Sequence, residues 1–217
     1  MADVPTRLRL LNAAIDHFGR LGLHGASTRA IAREADTPMS SITYHFGGKE
    51  GLYLAAADHI ASEIANRAGP ALEQVRAMCA EPPTPAVARN ALHLVFAHMV
   101  GVIVSPETAA FARFILREQA DPTEAFTHLY SGAMRELLAR LAALLRTISH
   151  DRLGEQDARL KALTLMGQLL VFRVARAAVL ATTGWREVGA AEVDEIRRSI
   201  ADNLEAICDR LEAGGQR

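Results

Sequence analysis

The segment of residues 39–46 holds an unusual density of side chains that can form hydrogen bonds. Only Ile42 and Phe46 are placed to face inward. The polar and aromatic residues are Ser40, Ser41, Thr43, Tyr44 and His45. Hydroxyls and ring donors reach phosphates and base edges when a helix lies in the major groove of DNA. Tyr44 or His45 taken singly is more often an ordinary half-buried residue, so the prediction of a DNA contact rests on the whole string.

Two further helices, a short one before it and one after it, would position this segment. Ser27 can cap a helix that carries Thr28 and Arg29 in its first turn, where unpaired backbone N–H groups favour phosphates. Residues 36–38, Asp-Thr-Pro, break that helix because the residue before a proline avoids helical geometry. Gly47-Gly48 ends the second helix, and a third begins at Lys49. Two short helices joined by a brief turn form a helix-turn-helix.

This region resembles the N-terminal DNA-binding domain of the TetR family of bacterial transcriptional repressors. Over about residues 7–55 the pattern is Phe18-x-x-x-Gly22, then Ser27-x-x-x-Ile31-Ala32, then Ile42-x-Tyr44-His45-Phe46-x-x-Lys49-Glu50-x-Leu52. By this resemblance, Ser27, Thr28 and Arg29 begin the first helix of the pair, Met39, Ser40, Ser41 and Thr43 face the groove, Tyr44 and His45 lie near the DNA backbone, and Lys49 meets a phosphate.

Two positions depart from the family pattern. Thr43 stands where the family often has tyrosine, and Asp36 stands where it often has glycine. Both departures bear on the base preference and not on the fold. A second segment, residues 114–130, looks like the C-terminal domain of a TetR subgroup typified by CecR, and this likeness implies no particular effector.

The composition indicates an all-α protein. Half of the 217 residues are apolar, and runs rich in Ala, Leu, Arg and Glu dominate without strand-like alternation. The net charge is −1, and residues 1–55 contain six basic and five acidic residues, so charge alone gives weak support for DNA binding. A DNA-binding region with so little net charge makes few phosphate contacts, which predicts that two subunits bind DNA together.

Other function classes find little support. His93 and His98 are five residues apart, which does not place them on one helical face as a metal pair requires. Phosphate-binding glycine loops and nucleophile motifs are absent from the sequence. We therefore predict neither a metal nor a cofactor, and no enzymatic activity. Cys79 and Cys208 form no disulfide framework, which is consistent with the cytoplasm.

The most apolar run, residues 160–183, is long enough to be considered as a membrane span. Arg173 and Arg176 interrupt it, and each would cost roughly 2.5–3.5 kcal/mol at the centre of a bilayer. This predicts a buried helix and no membrane association. The other predicted helices cover residues 5–21, 49–78, 86–104, 122–149 and 190–213, with a bend near Gly69-Pro70. A further helix is predicted to begin at Ser105-Pro106, with serine as its cap and proline in its first turn.

We expect two domains: a three-helix helix-turn-helix domain at residues 1–48 and a helical ligand-binding and dimerisation domain at residues 49–217. The last helix has apolar residues at steps of three and four, a seam for another helix. Two helices per chain would form a four-helix dimer contact. The predicted interface residues are Gly167, Leu170, Val174, Ala178, Ile196, Ile200, Leu204 and Ile207.

Bulky apolar residues and arginines of the second domain are candidates for an effector pocket. They are Phe96, Met99, Phe111, Arg113, Phe114, Arg117, Met134, Phe172 and Arg176. Apolar stripes of this kind are more often packed core, and arginines among them are usually paired or at the surface. A minority of such arginines bind an anionic group.

Together these patterns predict a homodimeric repressor that binds a near-palindromic operator in double-stranded DNA and is released by a small-molecule effector. The alternative is a helical regulator controlled by a partner protein, without a small-molecule pocket. An enzyme is the third interpretation.

Overall fold

Helices make up nearly all of the regular structure in a computed structural model that describes residues 5–214. Within this range there is no strand, which confirms the all-α prediction. The α-helices are α1 Thr6–Gly25, α2 Thr28–Glu34, α3 Ser40–Phe46, α4 Lys49–Met78, α5 Pro85–Val104, α6 Ala109–Ala120, α7 Glu124–Leu129, α8 Arg135–Ile148, α9 Glu155–Val174, α10 Arg176–Thr183 and α11 Ala190–Glu212.

The chain folds as two compact units. Unit 1 contains the residues up to Ala65 together with Glu107–Met134, and unit 2 contains Asn66–Pro106 together with the residues from Arg135 onward. Packing therefore groups α6 and α7 with the helix-turn-helix, and α4 contributes residues to both units. The predicted division into a DNA-binding domain, residues 1–48, and a regulatory domain, residues 49–217, is a division by function. It stays a prediction.

The core of unit 1 is organised by the apolar face of α1. Ile15 and Phe18 are fully buried and share one cluster with Ile31 of α2 and Ile42 of α3. The Phe18 ring meets the Tyr53 ring of α4 edge-on, with 4.8 Å between the ring centroids. Because both helices of the helix-turn-helix rest on α1, their outer faces are left for other contacts.

Helix α6 packs closely against α1 within unit 1. A side chain at Gly19 would come within 3.1 Å of Arg113 Cβ and 3.2 Å of the Phe114 backbone nitrogen, so only glycine fits comfortably at this contact. Arg113 also donates to Asp16 at 2.5 Å, and Arg117 donates to the Arg20 carbonyl at 3.0 Å. These contacts make α6 part of the framework beneath the helix-turn-helix.

The core of unit 2 forms around α5, which contacts α8, α9 and α11. By length and composition α5 could cross a membrane, yet Leu92, Val95 and Phe96 are buried in this core, as in core helices generally. Arg152 donates to the carbonyls of Leu211 at 2.8 Å and Glu212 at 2.7 Å, and so satisfies the C-terminal end of α11.

Two predicted helices are broken in the structure. The predicted helix 122–149 divides into α7 and α8 at a π-helical turn, Tyr130–Met134, where Gly132 has φ −97° and ψ −124°. The predicted helix 160–183 divides into α9 and α10, which are bent by 80° at Ala175. The prediction that this run is a buried helix holds for one face only: Leu165 and Leu169 are buried, whereas another apolar face of α9 is exposed in the single chain. By contrast, α4 has the predicted bounds and continues through Pro70.

Candidate nucleic-acid interface

Local capping fixes α2 as a short helix. The Ser27 hydroxyl accepts a hydrogen bond from the Ala30 N–H at 3.4 Å, as the sequence predicted. At the other end, the Asp36 N–H bonds to the Arg33 carbonyl and the Thr37 N–H to the Ala32 carbonyl. This is the Schellman arrangement, and it requires the left-handed backbone that Asp36 adopts, with φ 49°. The position where the resemblance anticipates glycine is therefore one with positive φ.

Helix α3 turns one side to the core and leaves the other uncovered within unit 1. Ile42 is 2 % exposed, whereas Tyr44 is 85 % exposed. The Tyr44 and His45 rings pack edge to face, with centroids 4.9 Å apart. The remaining predicted groove-facing residues are Met39, Ser40 and Thr43, which are exposed, and Ser41, which is half-buried. The exposed face thus combines hydroxyls, ring donors and one thioether.

The predicted contacts at the start of α2 differ in exposure. Ser27 and Arg29 are exposed, and Thr28 is half-buried. The Ser27 hydroxyl already accepts the capping bond, which leaves its own hydrogen to donate. Arg29 is exposed and can offer its guanidinium to a phosphate, since guanidinium groups bind phosphate with two parallel hydrogen bonds.

Lys49 has a structural contact in addition to its predicted role. Its ammonium donates to the His24 carbonyl at 3.1 Å, which joins the start of α4 to the loop after α1. An ammonium has three donors, so this bond leaves two for a phosphate. The contact could not be read from the sequence because the partner is a backbone carbonyl 25 residues away.

Several contacts that hold the helix-turn-helix on α1 were also missed by sequence reasoning. Arg9 donates to the Ala35 carbonyl at 3.1 Å, at the end of α2. His17 Nε2 and Glu34 Oε2 form a hydrogen bond at 2.8 Å. The Arg7 guanidinium lies 5.3 Å from the centre of the Phe46 ring at the end of α3. Apolar periodicity identifies the buried face of α1 but carries no signal for these polar partners.

The turn between α3 and α4 depends on three glycines. Gly47 has φ 75° and Gly48 has φ 137°, values that favour glycine. A methyl group at Gly51 would overlap the Phe46 carbonyl oxygen, so the chain between α3 and α4 closes only with glycine there. The sequence predicted the first two positions from their place at a helix end and gave no reason for the third.

The residues predicted for an effector pocket are distributed over both units. Phe96 and Met99 are buried in the unit 2 core, and Phe172 is partly buried against the same core. In unit 1, Phe114 is fully buried and its ring lies 4.7 Å from the Tyr53 ring, with Phe111 half-buried nearby. Met134 in unit 1 and Arg176 in unit 2 are half-buried. The phenylalanines at 96 and 114 thus belong to two separate cores.

The arginines of α6 take part in the packing described above. Arg113 pairs with Asp16 and Arg117 bonds to the Arg20 carbonyl. Together with Gly19 and Leu116 they line a surface groove of about 440 Å³ between α1 and α6. Both guanidinium groups therefore have intramolecular partners in unit 1, which is the commoner role for arginine among apolar helices.

The two predicted halves of the dimer interface behave differently. On α11, Ile196, Ile200 and Leu204 are buried against α5 and α8 of the same chain, and Ile207 is half-buried. The seam of α11 is thus covered by its own unit, which differs from the expectation that a second subunit covers it. The large exposed apolar residues of α9 are Leu160, Leu163, Leu170, Val171 and Val174.

These residues of α9 follow helical spacing and form a stripe that also includes Gly167, which is exposed. On α10, Ala178 is exposed as well. We call this set, Leu160, Leu163, Gly167, Leu170, Val171 and Val174, the α9 stripe. Exposed apolar surface of this extent typically marks an interaction site.

Comparison with known proteins assigns this architecture. The family described as "Bacterial regulatory proteins, tetR family" matches residues 10–56. The family described as "HTH-type transcriptional dual regulator CecR, C-terminal domain" matches residues 88–210, more than half of the chain. The chain is 29% identical over 204 residues to the HTH-type transcriptional dual regulator CecR of Shigella flexneri, covering 94% of this chain and 91% of that protein.

Solved structures show the same fold. A transcriptional regulator from Pseudomonas aeruginosa PAO1 aligns with a TM-score of 0.65 at 22% identity, covering 96% of this chain and 90% of that one. AibR, crystallised in complex with isovaleryl coenzyme A and operator DNA, aligns with a TM-score of 0.67 at 14% identity, covering 92% and 98% of the two chains.

Proposed function

Because the chain belongs to the TetR family of bacterial transcriptional regulators, with a CecR-type C-terminal domain, we propose that it represses transcription as a homodimer on a near-palindromic operator and leaves it when a small molecule binds. The family itself establishes a DNA-binding regulator and not an enzyme. Repression, the operator symmetry, the dimer and the effector are the proposal. Its place of action is the cytoplasm, where the DNA is.

The observation that carries the proposal is the uncovered face of α3. Ile42 anchors the helix in the core of unit 1, while Thr43, Tyr44 and His45 remain exposed. Groove-facing hydroxyls and ring donors can contact bases and phosphates, and the glycine-rich turn after α3 leads to Lys49, which has two free donors. This arrangement supports direct contact of α3 with the major groove.

The α9 stripe supports the homodimer. Symmetric two-fold dimers are the commonest soluble oligomers, and a two-fold dimer presents two copies of α3 to DNA. The half-sites would then lie about one helical turn apart, roughly 34–36 Å. A pseudo-palindromic operator follows from that symmetry.

The small-molecule effector rests on the family resemblance and on AibR, whose structure contains isovaleryl coenzyme A. A ligand releases DNA only by preferring one of two states, and a switch from nearly all bound to nearly all released needs a preference of about 5.5 kcal/mol. A second candidate, a regulator controlled by a partner protein, is favoured by the burial of Phe96 and Phe114 in core positions.

The test is selection from a random-sequence duplex pool by the purified full-length protein. We expect enrichment of one inverted repeat, bound by two chains per duplex in sedimentation analysis. The Thr43→Ala variant should change the enriched sequence, because it removes a group from the groove-facing side. Recovery of no enriched sequence, or of a single half-site bound by one chain, contradicts the proposal.

The effector is tested on the selected duplex with a library of small metabolites that includes coenzyme A esters. A compound that lowers duplex affinity and raises the melting temperature of the protein supports the small-molecule proposal. Release that requires a protein fraction, with no active compound in the library, favours control by a partner protein.

A further inference from the structure

A carboxylate is buried inside unit 1, outside the two helices of the helix-turn-helix. Glu118 on α6 is 1 % exposed. Its Oε1 accepts a hydrogen bond from the Tyr53 hydroxyl at 2.5 Å. Its Oε2 accepts from the Thr123 backbone N–H at 3.0 Å and from the Thr123 hydroxyl at 2.9 Å. One carboxylate thus joins α4, the C-terminal part of α6 and the residue that precedes α7.

Each of the three donors is itself held in place. Thr123 is the N-terminal cap of α7, and its hydroxyl oxygen accepts from the Ala125 N–H at 3.2 Å. The Tyr53 ring is packed between Phe18 of α1 and Phe114 of α6, with centroid distances of 4.8 and 4.7 Å. Burial, and then the hydrogen bond to Glu118, raise the pKa of Tyr53 well above its ordinary value. The phenol therefore stays protonated and donates to Glu118.

A contact of this kind allows one geometry only. A buried carboxylate is strongly unfavourable unless its hydrogen-bond partners remain in place. Apolar packing tolerates small displacements, whereas a displacement of Tyr53 away from Glu118 would leave the buried Tyr53 hydroxyl and the Oε1 of Glu118 without a hydrogen-bond partner. The first turns of α4 are thereby tied to one position relative to α6 and α7.

That position bears directly on α3. Tyr53 lies four residues after Lys49, and the turn Gly47-Gly48 connects α4 to α3 without intervening structure. We propose that Glu118 is a positioning residue for DNA binding: through Tyr53 it fixes the start of α4, and thereby α3, against α6 and α7. The contact also joins the segment that matches the TetR N-terminal family to the segment that matches the CecR C-terminal domain.

The experiment combines Glu118→Gln and Tyr53→Phe in a double-mutant cycle, in the full-length protein. A glutamine has the shape of glutamate but only one acceptor oxygen, so it cannot accept from both Tyr53 and Thr123. Each single variant should bind the duplex selected by the wild-type protein about tenfold more weakly or worse, given the usual strength of hydrogen bonds to charged groups. The double variant should bind no more weakly than the weaker single variant.

Two controls separate positioning from general loss of structure. Glu124→Gln and Tyr130→Phe remove a charge and a hydroxyl from exposed side chains of the same unit, and both should bind the duplex like the wild type. Thr123→Ser, which keeps the donating hydroxyl, should bind better than Thr123→Val. A lower melting temperature with unchanged duplex affinity at 20 °C, roughly 25–45 °C below the melting of a typical mesophilic domain, would show a purely structural role and overturn the proposal.

Hydrogen exchange supplies a readout that does not depend on DNA. In Glu118→Gln the backbone amides of residues 47–52 should exchange faster than in the wild type, while amides of α8 and α11 in unit 2 are unchanged. Unchanged exchange at residues 47–52 overturns the positioning role even when no duplex has been selected. If exchange rises but no sequence is enriched by the wild-type protein, the positioning stands and the proposed operator binding fails.

Discussion

At the scale of single residues, the helix-turn-helix depends on side chains that act on the backbone as much as on those that face DNA. Ser27 caps α2, Asp36 closes its other end, and Lys49 donates to the His24 carbonyl. Residue type alone identified Ser27, because serine is a preferred N-cap. The roles of Asp36 and Lys49 required the folded backbone, since both involve carbonyl groups that any residue carries.

Asp36 offers a test of backbone strain. Its left-handed conformation costs an L-residue roughly 1–2 kcal/mol, and aspartate tolerates it better than alanine. We expect Asp36→Ala to lower the free energy of unfolding by about 1 kcal/mol, and Asp36→Gly to be more stable than Asp36→Ala. Urea denaturation measures both, and the two variants control for each other because each removes the carboxylate. Equal stability of the two variants would refute the argument from φ.

Lys49 is predicted to contribute a phosphate contact. Lys49→Ala and Lys49→Gln should weaken binding to every duplex and reduce the slope of log Kd against log salt by about one. Glutamine can still donate to the His24 carbonyl, so it isolates the charge from the structural contact. Arg186→Ala, in an exposed loop of unit 2, is the control for net charge. Should Lys49→Gln retain the wild-type salt slope, the lysine acts only through His24.

At the scale of helices, the decisive question is which surface covers each apolar face. The seams of α1 and α11 are covered within their own units, whereas the α9 stripe remains exposed. Helix α6, expected in a regulatory domain, packs on α1 beneath the helix-turn-helix. Helices α1, α6 and α11 each have a one-sided apolar face, so the difference among them lies in the neighbours that the fold provides.

The α9 stripe should be the surface that holds two chains together. Leu170→Asp should give folded monomers at micromolar concentration, because Leu170 is exposed in the single chain and its charge stays hydrated. Leu204→Asp should instead unfold unit 2, since it buries an unpaired charge at a cost of several kcal/mol. Sedimentation equilibrium and circular dichroism distinguish the two results. A dimeric Leu170→Asp protein, or a monomeric wild type, contradicts this assignment.

Phe114 decides between core and pocket for α6. In a packed core, Phe114→Ala should lower the free energy of unfolding by about 3–5 kcal/mol. The structure favours this outcome, since Phe114 is fully buried and its ring packs on the Tyr53 ring, with 4.7 Å between the centroids. Phe111→Ala, at a half-buried position on the same helix, should cost less. Urea denaturation that finds little loss for Phe114→Ala, together with altered effector affinity, would restore the pocket interpretation.

At the scale of the whole molecule, the two cysteines report on the integrity of unit 2. Burial raises the pKa of Cys208 from 9.0 to about 11, whereas Cys79 is half-buried. At pH 8 a thiol reagent should therefore modify Cys79 first and Cys208 only after unfolding, because the thiolate is the reactive form. Counting modified thiols by mass spectrometry, with Cys79→Ala as the control, checks the order. Rapid modification of both thiols in the folded protein would be incompatible with the buried Cys208.

The same shift has a consequence for stability. A thiol whose pKa is higher in the folded state makes its full contribution to folding stability below pH 9. That contribution is lost as the pH rises toward 11. Tyr53, whose pKa is also raised, acts in the same direction in unit 1 above the ordinary tyrosine pKa. Free energies of unfolding measured between pH 9 and 11 check this expectation. The Cys208→Ala variant should lose less stability over that range than the wild type.

The sequence by itself determined the helical class, the helix-turn-helix and the bounds of α4 and α11. These features depend on local physics: caps, glycine at helix ends and apolar residues at steps of three and four are all written in neighbouring residues. The family resemblance agreed with that local pattern. The exposed hydroxyl and ring donors of α3 were also predicted, because only Ile42 and Phe46 are needed to hold the helix on the core.

Only the tertiary structure decided which partner covers each helix. Periodicity shows that the face of α11 is apolar but not whether α5 or a second subunit covers it, and here α5 and α8 do so. The break at Ala175 and the burial of Glu118 have no local signal, since alanine favours helices and glutamate is usually exposed. Glu118 is held by Tyr53, 65 residues away in the chain, and a pattern of neighbouring residues contains no information about such a contact.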